Sequence, residues 1–210
     1  MVELTNKIHY FAKLDSTMLE AKRCLTMRQE CPQIIIAGEQ SQGRGRFGRI
    51  WFAPKGNLYV TLVQPITHPI DQIPIIVGIA VAEVLNQLMG VCHSDGSQNP
   101  RRISKRLDPD VRQDDRLGVV TLKHPNDVLV DGKKICGILI EKWEPFYSIG
   151  VGINVTSSPL VQFYETTYVH QYNKNIMPGF LLRCFLKRYR FLLRQDFSVI
   201  QQLHLAMHQK

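Results

Sequence analysis

A chain of 210 residues with 44% hydrophobic and 21% charged side chains is long enough to bury a core as one domain, and its composition excludes a disordered protein. The net charge of +8 and pI near 9.4 favour anionic partners: nucleotides, nucleic acid, an acidic protein or a membrane surface. Cys24, Cys31, Cys92, Cys136 and Cys184 are scattered without a Cys-x-x-Cys pair and read as free thiols of a reducing compartment. MVELTNKIHY has no apolar core of a secretory signal, so the expected location is cytoplasmic.

In chain order, IHYFAKL (8–14) has strand character, and MLEAKRCLTM after it has helical periodicity, with Asp15 or Ser16 as the expected cap. PQIIIAGEQ (32–40) and LYVTLVQP (58–65) are β-branched runs suited to buried strands. IPIIVGIAVAEVLNQLMG (73–90) carries Glu83, Asn86 and Gln87 and reads as a core-facing helix, not a membrane span. Residues 92–117 are polar and mixed in charge, an expected flexible insertion; its RRISKR run is a solvated loop or a contact for nucleic acid. In VVTLKHPNDVLVDGKKICGILIEKW (119–143), Asp131-Gly132 is a two-residue hairpin turn, because both residues tolerate positive φ. YSIGVGINV (147–155) is a strand whose Gly150 and Gly152 point to close approach of a ligand to backbone. PGFLLRCFLKRYRFLLRQ (178–195) is a helix with Arg183, Lys187, Arg190 and Arg194 on one solvated face; His204 and His208, four apart, lack a third ligand for a metal. Hairpin connections favour an α+β fold: a mixed, mostly antiparallel sheet with helices chiefly on one face.

The stretch GRGRFG (43–48) satisfies G-x-G-x-x-G, the dinucleotide-binding turn. That turn needs a helix at once after the glycines, and here RIWFAPKGNLYVTLV follows, with a proline and a β-rich run. The fingerprint fails in context, and no Walker-type G-x-x-x-x-G-K-[ST] occurs. What remains is a glycine-rich loop with three guanidinium groups, Arg44, Arg46 and Arg49. Like charges and glycine freedom predict a mobile loop that a carboxylate or phosphate ligand orders through paired hydrogen bonds. An RG segment on RNA is the alternative.

GRGRFGRIWFAPKGNLY resembles the G-R-G-R-x-G-R-x-W-x-S-P-x-G-x-L-Y stretch of the biotin protein ligases (biotin–[acetyl-CoA-carboxylase] ligases). KHPNDVLVDGKKICGILIE is similar to their K-W-P-N-D segment and its continuation, GVGINV to their G-[IV]-G-[IL]-N-V strand, and LDST (14–17) to the opening of their first helix. The segments stand in the family's order over residues 14–155. The resemblance implies a class II synthetase-like catalytic domain that uses ATP, with Mg2+, to make biotinyl-5′-AMP. It then acylates a lysine of a biotin carboxyl carrier domain. With no helix-turn-helix pattern at the start, no DNA partner is expected, nor a membrane, and the expected state is a monomer or homodimer.

By the same resemblance Arg46 and Lys134 are catalytic cations and Asp127 a helper carboxylate for the incoming lysine. Ser16, Thr17, Gln40, Gly43, Arg44, Gly45 and Gly137, with Arg46 and Lys134, match biotin-side positions. Arg49, Trp51, Asn126 and Asn154, again with Arg46 and Lys134, match the adenylate side. By themselves Lys134 is a strand lysine, Asp127 a turn residue and Trp51 core. The chain departs from the pattern at Met18, where Asn is usual, at His124 in place of tryptophan, at Ala53 in place of Ser, and in the 92–117 insertion. The expected organisation is one catalytic domain, 1–210, with no N-terminal helix-turn-helix and no C-terminal β-barrel domain. The rivals are a lipoate or octanoate ligase or transferase of the same fold, a nucleic-acid binder using RRISKR and the basic helix, and a biotin-binding relative with weakened catalysis.

Overall fold

The computed structural model describes residues 4–27, 31–89, 92–93, 118–160 and 164–208. Its strands are β1 (Leu4–Phe11), β2 (Cys31–Ala37), β3 (Leu58–Pro65), β4 (Cys92–His93), β5 (Val119–Lys123), β6 (Asp127–Val130), β7 (Lys133–Trp143) and β8 (Phe146–Ile153). They form one sheet in the order β1-β2-β3-β8-β7-β6-β5-β4. Only β1–β2 and β4–β5 pair in parallel, so the expected mostly antiparallel sheet is present. The helices are α1 (Thr17–Thr26), α2 (Gln72–Met89), α3 (Pro178–Leu192) and α4 (Phe197–His208).

Strand alternation assigns the two faces. On β3 and β8, Leu58, Val60, Leu62, Ile149, Val151 and Ile153 join α2 in the main core, together with Leu181, Phe185 and Leu192 of α3 and Ile200 of α4. Burying each such side chain contributes about 1.5–3 kcal/mol, and Leu85→Ala, at a fully buried position of α2, would cost about 2–5 kcal/mol. By length and composition α2 could cross a membrane, but 67% of it is buried within this fold, as its core-facing reading expects. The helices thus lie chiefly on one face. The exception is α1, which packs Ala21, Cys24 and Leu25 against Ile35 and Val63 of the other face. That placement leaves the opposite face of β7 and β8 open.

Two turns fix the local geometry. Asp131 (φ 51°) and Gly132 (φ 75°) make the expected hairpin turn between β6 and β7. The exit of β8 is pinned to the entry of β3 by Asn57, whose Oδ1 accepts from the N–H groups of Val155 (2.8 Å) and Thr156 (2.9 Å).

Several expectations shift. The first strand spans 4–11 and not 8–14, because Leu14 already pairs with Gln40 in a separate bridge. Ser16 is the residue before α1, yet neither it nor Asp15 caps the helix. The Thr17 N–H donates instead to Gln40 Oε1 at 2.7 Å. Val119–Val130 is two strands around a turn at 124–126. In the 92–117 segment, Cys92–His93 form β4 beside Val119–Val120; residues 94–117, with RRISKR, lie outside the described residues. Arg183, Lys187, Arg190 and Arg194 are exposed, as a solvated face requires.

Candidate functional site

The open face of the sheet is stripped of side chains along its centre, where Gly137 of β7 pairs with Gly152 of β8, and Gly150 pairs with Leu139. A Cβ at Gly137 would stand 2.7 Å from the Trp51 ring, one at Gly152 2.7 Å from Trp51 Nε1, and one at Gly150 2.8 Å from Met18 Sδ. The glycines expected to bring a ligand against backbone therefore make room for Trp51 and Met18. These two side chains line a cavity of about 220 Å³.

At one end the cavity is neutral and polar. Gln40 Oε1 accepts from both the N–H (2.7 Å) and the hydroxyl (3.1 Å) of Thr17, which in turn accepts from Thr61 Oγ1 at 2.8 Å. Ser16 lines the wall beside Gln40, and Arg44 reaches Glu141 at 3.4 Å. Burial pushes the Tyr59 phenol well above its ordinary range, so this neighbour stays a neutral donor, to Pro54 O at 2.8 Å. Just outside, Arg23 holds the Asp15 carboxyl below the usual carboxylate range through paired hydrogen bonds of 2.8 and 2.9 Å. Such a set matches a neutral ligand group with its own donors and acceptors.

The other end is cationic. Lys134 Nζ lies 2.8 Å from Asp127 Oδ1, with only 15% and 21% of the two side chains exposed. Arg46 Nη1 donates to Asn126 Oδ1 at 3.0 Å, and Asn126 Nδ2 donates to Ile138 O at 2.9 Å. Arg49 lines the same cavity. Lys133, next in sequence, faces outward and pairs with Glu165 at 3.0 Å. A register shift between Val128 and Leu129 accompanies the pairing of Lys134 with Leu129.

The glycine-arginine loop is a hairpin with its own backbone pairs. Gly45 N–H donates to Arg49 O (2.8 Å), Trp51 N–H to Gly43 O (2.9 Å) and Gln40 N–H to Ala53 O (3.0 Å). Phe47 (φ 57°) and Gly48 (φ 73°) turn the tip. Backbone pairing, with Arg44 on Glu141 and Arg46 on Asn126, offsets the repulsion among the three arginines. Gly43 is the tight point, since a Cβ there would meet Trp51 O at 2.2 Å.

Of the expected site residues, Ser16, Gln40, Arg44, Gly45, Arg46, Arg49, Trp51, Asn126, Asp127, Lys134 and Gly137 line this cavity. Thr17 touches it through Gln40, and Gly43 supports Trp51 from behind. Asn154 faces a separate cleft beside Thr166; it donates to Thr167 O at 3.1 Å, and its buried Oδ1 has no hydrogen-bond partner among the described residues. Tyr164, Glu165 and Leu139 also line the cavity and were not foreseen. Tyr164 sits in a stretch with no motif, and only its return to β7 brings it in. Among the described residues no three His, Cys, Asp or Glu side chains converge as a metal site.

A sequence model of the biotin/lipoate A/B protein ligase family matches residues 10–154. The chain belongs to the biotin/lipoate A/B protein ligase family. Among curated relatives, it is 25% identical over 209 residues to the bifunctional ligase/repressor BirA of Bacillus subtilis, covering 92% of this chain and 57% of that protein. It is 30% identical over 156 residues to a biotin–[acetyl-CoA-carboxylase] ligase of Paracoccus denitrificans, covering 70% of this chain and 54% of that one. It thus spans about half the length of these family members. The fold matches that of the Aquifex aeolicus biotin protein ligase in complex with biotin and ATP, with a TM-score of 0.73, 22% identity and coverage of 99% of this chain and 79% of the other. A biotin protein ligase from Leishmania major, in complex with biotinyl-5-AMP, matches equally at a TM-score of 0.73 with 24% identity, over 98% and 82% of the two chains.

Proposed function

We propose that this chain is a biotin protein ligase catalytic unit that activates biotin with ATP and transfers it to a lysine of a biotin carboxyl carrier domain. The observation that carries the reading is one cavity with a neutral hydrogen-bonding end at Thr17 and Gln40 and a cationic end at Lys134 and Arg46. A ureido ring suits the first end. The meeting of a carboxylate with a triphosphate suits the second, where fixed cations offset anion–anion repulsion.

In the first step a biotin carboxylate oxygen attacks the α-phosphorus, the bond to the β-phosphate oxygen breaks, and pyrophosphate leaves. Lys134, held by Asp127, and Arg46, held by Asn126, stabilise the charge on the reacting oxygens. Trp51 offers a ring face to the adenylate. Arg44 and the hairpin 40–53 cover the mixed anhydride and keep water from it. In the second step the acceptor ε-amine attacks the biotinyl carbonyl and AMP leaves; Asp127 orients that amine or takes its proton. Asn154, in the adjoining cleft, is assigned to the nucleotide side with Arg49. Mg2+, when bound with ATP, would offset the triphosphate charge, with Asp127 as a carboxylate of the cavity that would face it.

The test is biotin-dependent exchange of labelled pyrophosphate into ATP, with lipoate and octanoate in parallel. Exchange with biotin alone is the expected result. Exchange with lipoate or octanoate instead would move the chain to the other branch of its family, and silence with all three would overturn an adenylating role.

A further inference from the structure

Lys134 is largely withdrawn from water, with 15% of its side chain exposed, and among the described residues Asp127 is the one carboxylate paired with its ammonium. Taking an ammonium out of water costs several kcal/mol unless other groups replace the lost hydration. Two ring faces do so. Lys134 Nζ stands 5.2 Å from the centroid of Trp51 and 5.4 Å from that of Tyr164, both within the ~6 Å reach of a cation–π contact.

The chain around Tyr164 is built for this contact. Lys134 N–H donates to Glu165 O at 2.9 Å and Lys134 O accepts from Thr167 N–H at 3.0 Å, an isolated bridge that joins residue 134 of β7 to Thr166, which lies in no regular strand. The same short segment separates the two adjacent lysines: Glu165 takes the exposed Lys133 at 3.0 Å, and Tyr164 covers Lys134. Lys134, Trp51 and Tyr164 line both the main cavity and the cleft beside Asn154, so they form the partition between the two.

We propose that Tyr164 is a positioning residue for the adenylation step: its ring face, with that of Trp51, fixes the Lys134 ammonium on Asp127 at the cationic end of the cavity. The proposal rests on the ligase reading for its kinetic consequence and on geometry alone for the contact. The ring is the operative part and the hydroxyl is not. A second carboxylate in this place would cancel the charge the reaction uses, whereas a ring face holds the cation and leaves it positive.

The test uses the full chain and the variants Tyr164→Leu, Tyr164→Phe and Tyr164→Trp, with melting curves to establish folding. In protein carrying 13C-labelled lysine, ring currents displace the Lys134 ε-methylene proton signal upfield, and Lys134→Arg assigns it. Tyr164→Leu should move that signal toward the ordinary lysine position while Tyr164→Phe keeps it; a signal unmoved in Tyr164→Leu overturns the proposal even if no acid supports exchange. In pyrophosphate exchange Tyr164→Leu should lower kcat roughly tenfold with KM for biotin little changed, and Phe or Trp should restore it. In a Lys134→Met background Tyr164→Leu should add nothing. Equal losses in Phe and Leu, or a full further loss without Lys134, would overturn the positioning role.

Discussion

Asn126 fastens Arg46 to the sheet: its Oδ1 takes the Arg46 guanidinium at 3.0 Å while its Nδ2 holds Ile138 O on β7 at 2.9 Å. The arginine nearest the hairpin tip is therefore anchored through one amide. Arg46→Ala should weaken retention of pre-formed biotinyl-5′-AMP by roughly 10- to 100-fold, as loss of a charged hydrogen bond predicts. It should change stability by only about 0.5 kcal/mol, because the position is half-buried on a loop. Dissociation of labelled adenylate, beside a urea melt, checks both. An unchanged dissociation rate would remove Arg46 from the site.

Lys134→Ala should slow pyrophosphate release about 100-fold or more, the usual consequence of losing a preorganised charge at the reacting oxygens. It also strands the Asp127 carboxylate, which is 21% exposed, and should cost about 1–3 kcal/mol of stability. Adding Asp127→Asn should recover part of that stability and none of the rate. Denaturant titration of the two variants separates the effects; a normal burst of pyrophosphate from Lys134→Ala would refute the assignment.

Gly152→Ala probes the bare strip of sheet. A methyl group there would stand 2.7 Å from Trp51 Nε1, so the indole must move. Overpacking of this kind costs about 1–3 kcal/mol, and the displaced ring should change its fluorescence and weaken nucleotide binding. Wild-type emission and nucleotide affinity in this variant would mean that Trp51 does not rest on the strand.

Asp15 makes a pH prediction. Its folded-state value is depressed, chiefly by Arg23, so its contribution is present above the ordinary value of about 3.9 and is lost as pH falls through the lower, folded one. The pair is partly exposed, 31% for Asp15 and 40% for Arg23, which limits the effect to about 1 kcal/mol or less. Asp15→Asn should melt earlier than wild type at pH 6, and the two should converge near pH 2. A gap that persists at pH 2 would assign the loss to packing.

Strands and helices were legible where pattern alone decides them: LYVTLVQP is β3 and the apolar run 73–90 is α2 within one residue. The turn at Asp131-Gly132 followed from backbone sterics. The site was legible only where loop residues sit in short, ordered motifs. Three features were not. The capping role of Gln40 toward Thr17 spans 23 residues, which no local signal conveys. The hairpin form of 40–53 depends on Arg44 meeting Glu141 and Arg46 meeting Asn126, contacts set by the tertiary fold. Tyr164 reaches Lys134 through an isolated bridge with no pattern of its own.

The hairpin 40–53 carries Gln40 near one base, Arg46 at the tip, and Trp51 on the returning arm, whose N–H is hydrogen-bonded to Gly43. One piece of chain thus supplies lining residues at both ends of the cavity. The backbone ladder joins the tip to Trp51 and to the base, so the two are mechanically linked. For the proposed ligase, one opening of this hairpin would therefore free both ends of the bound intermediate together.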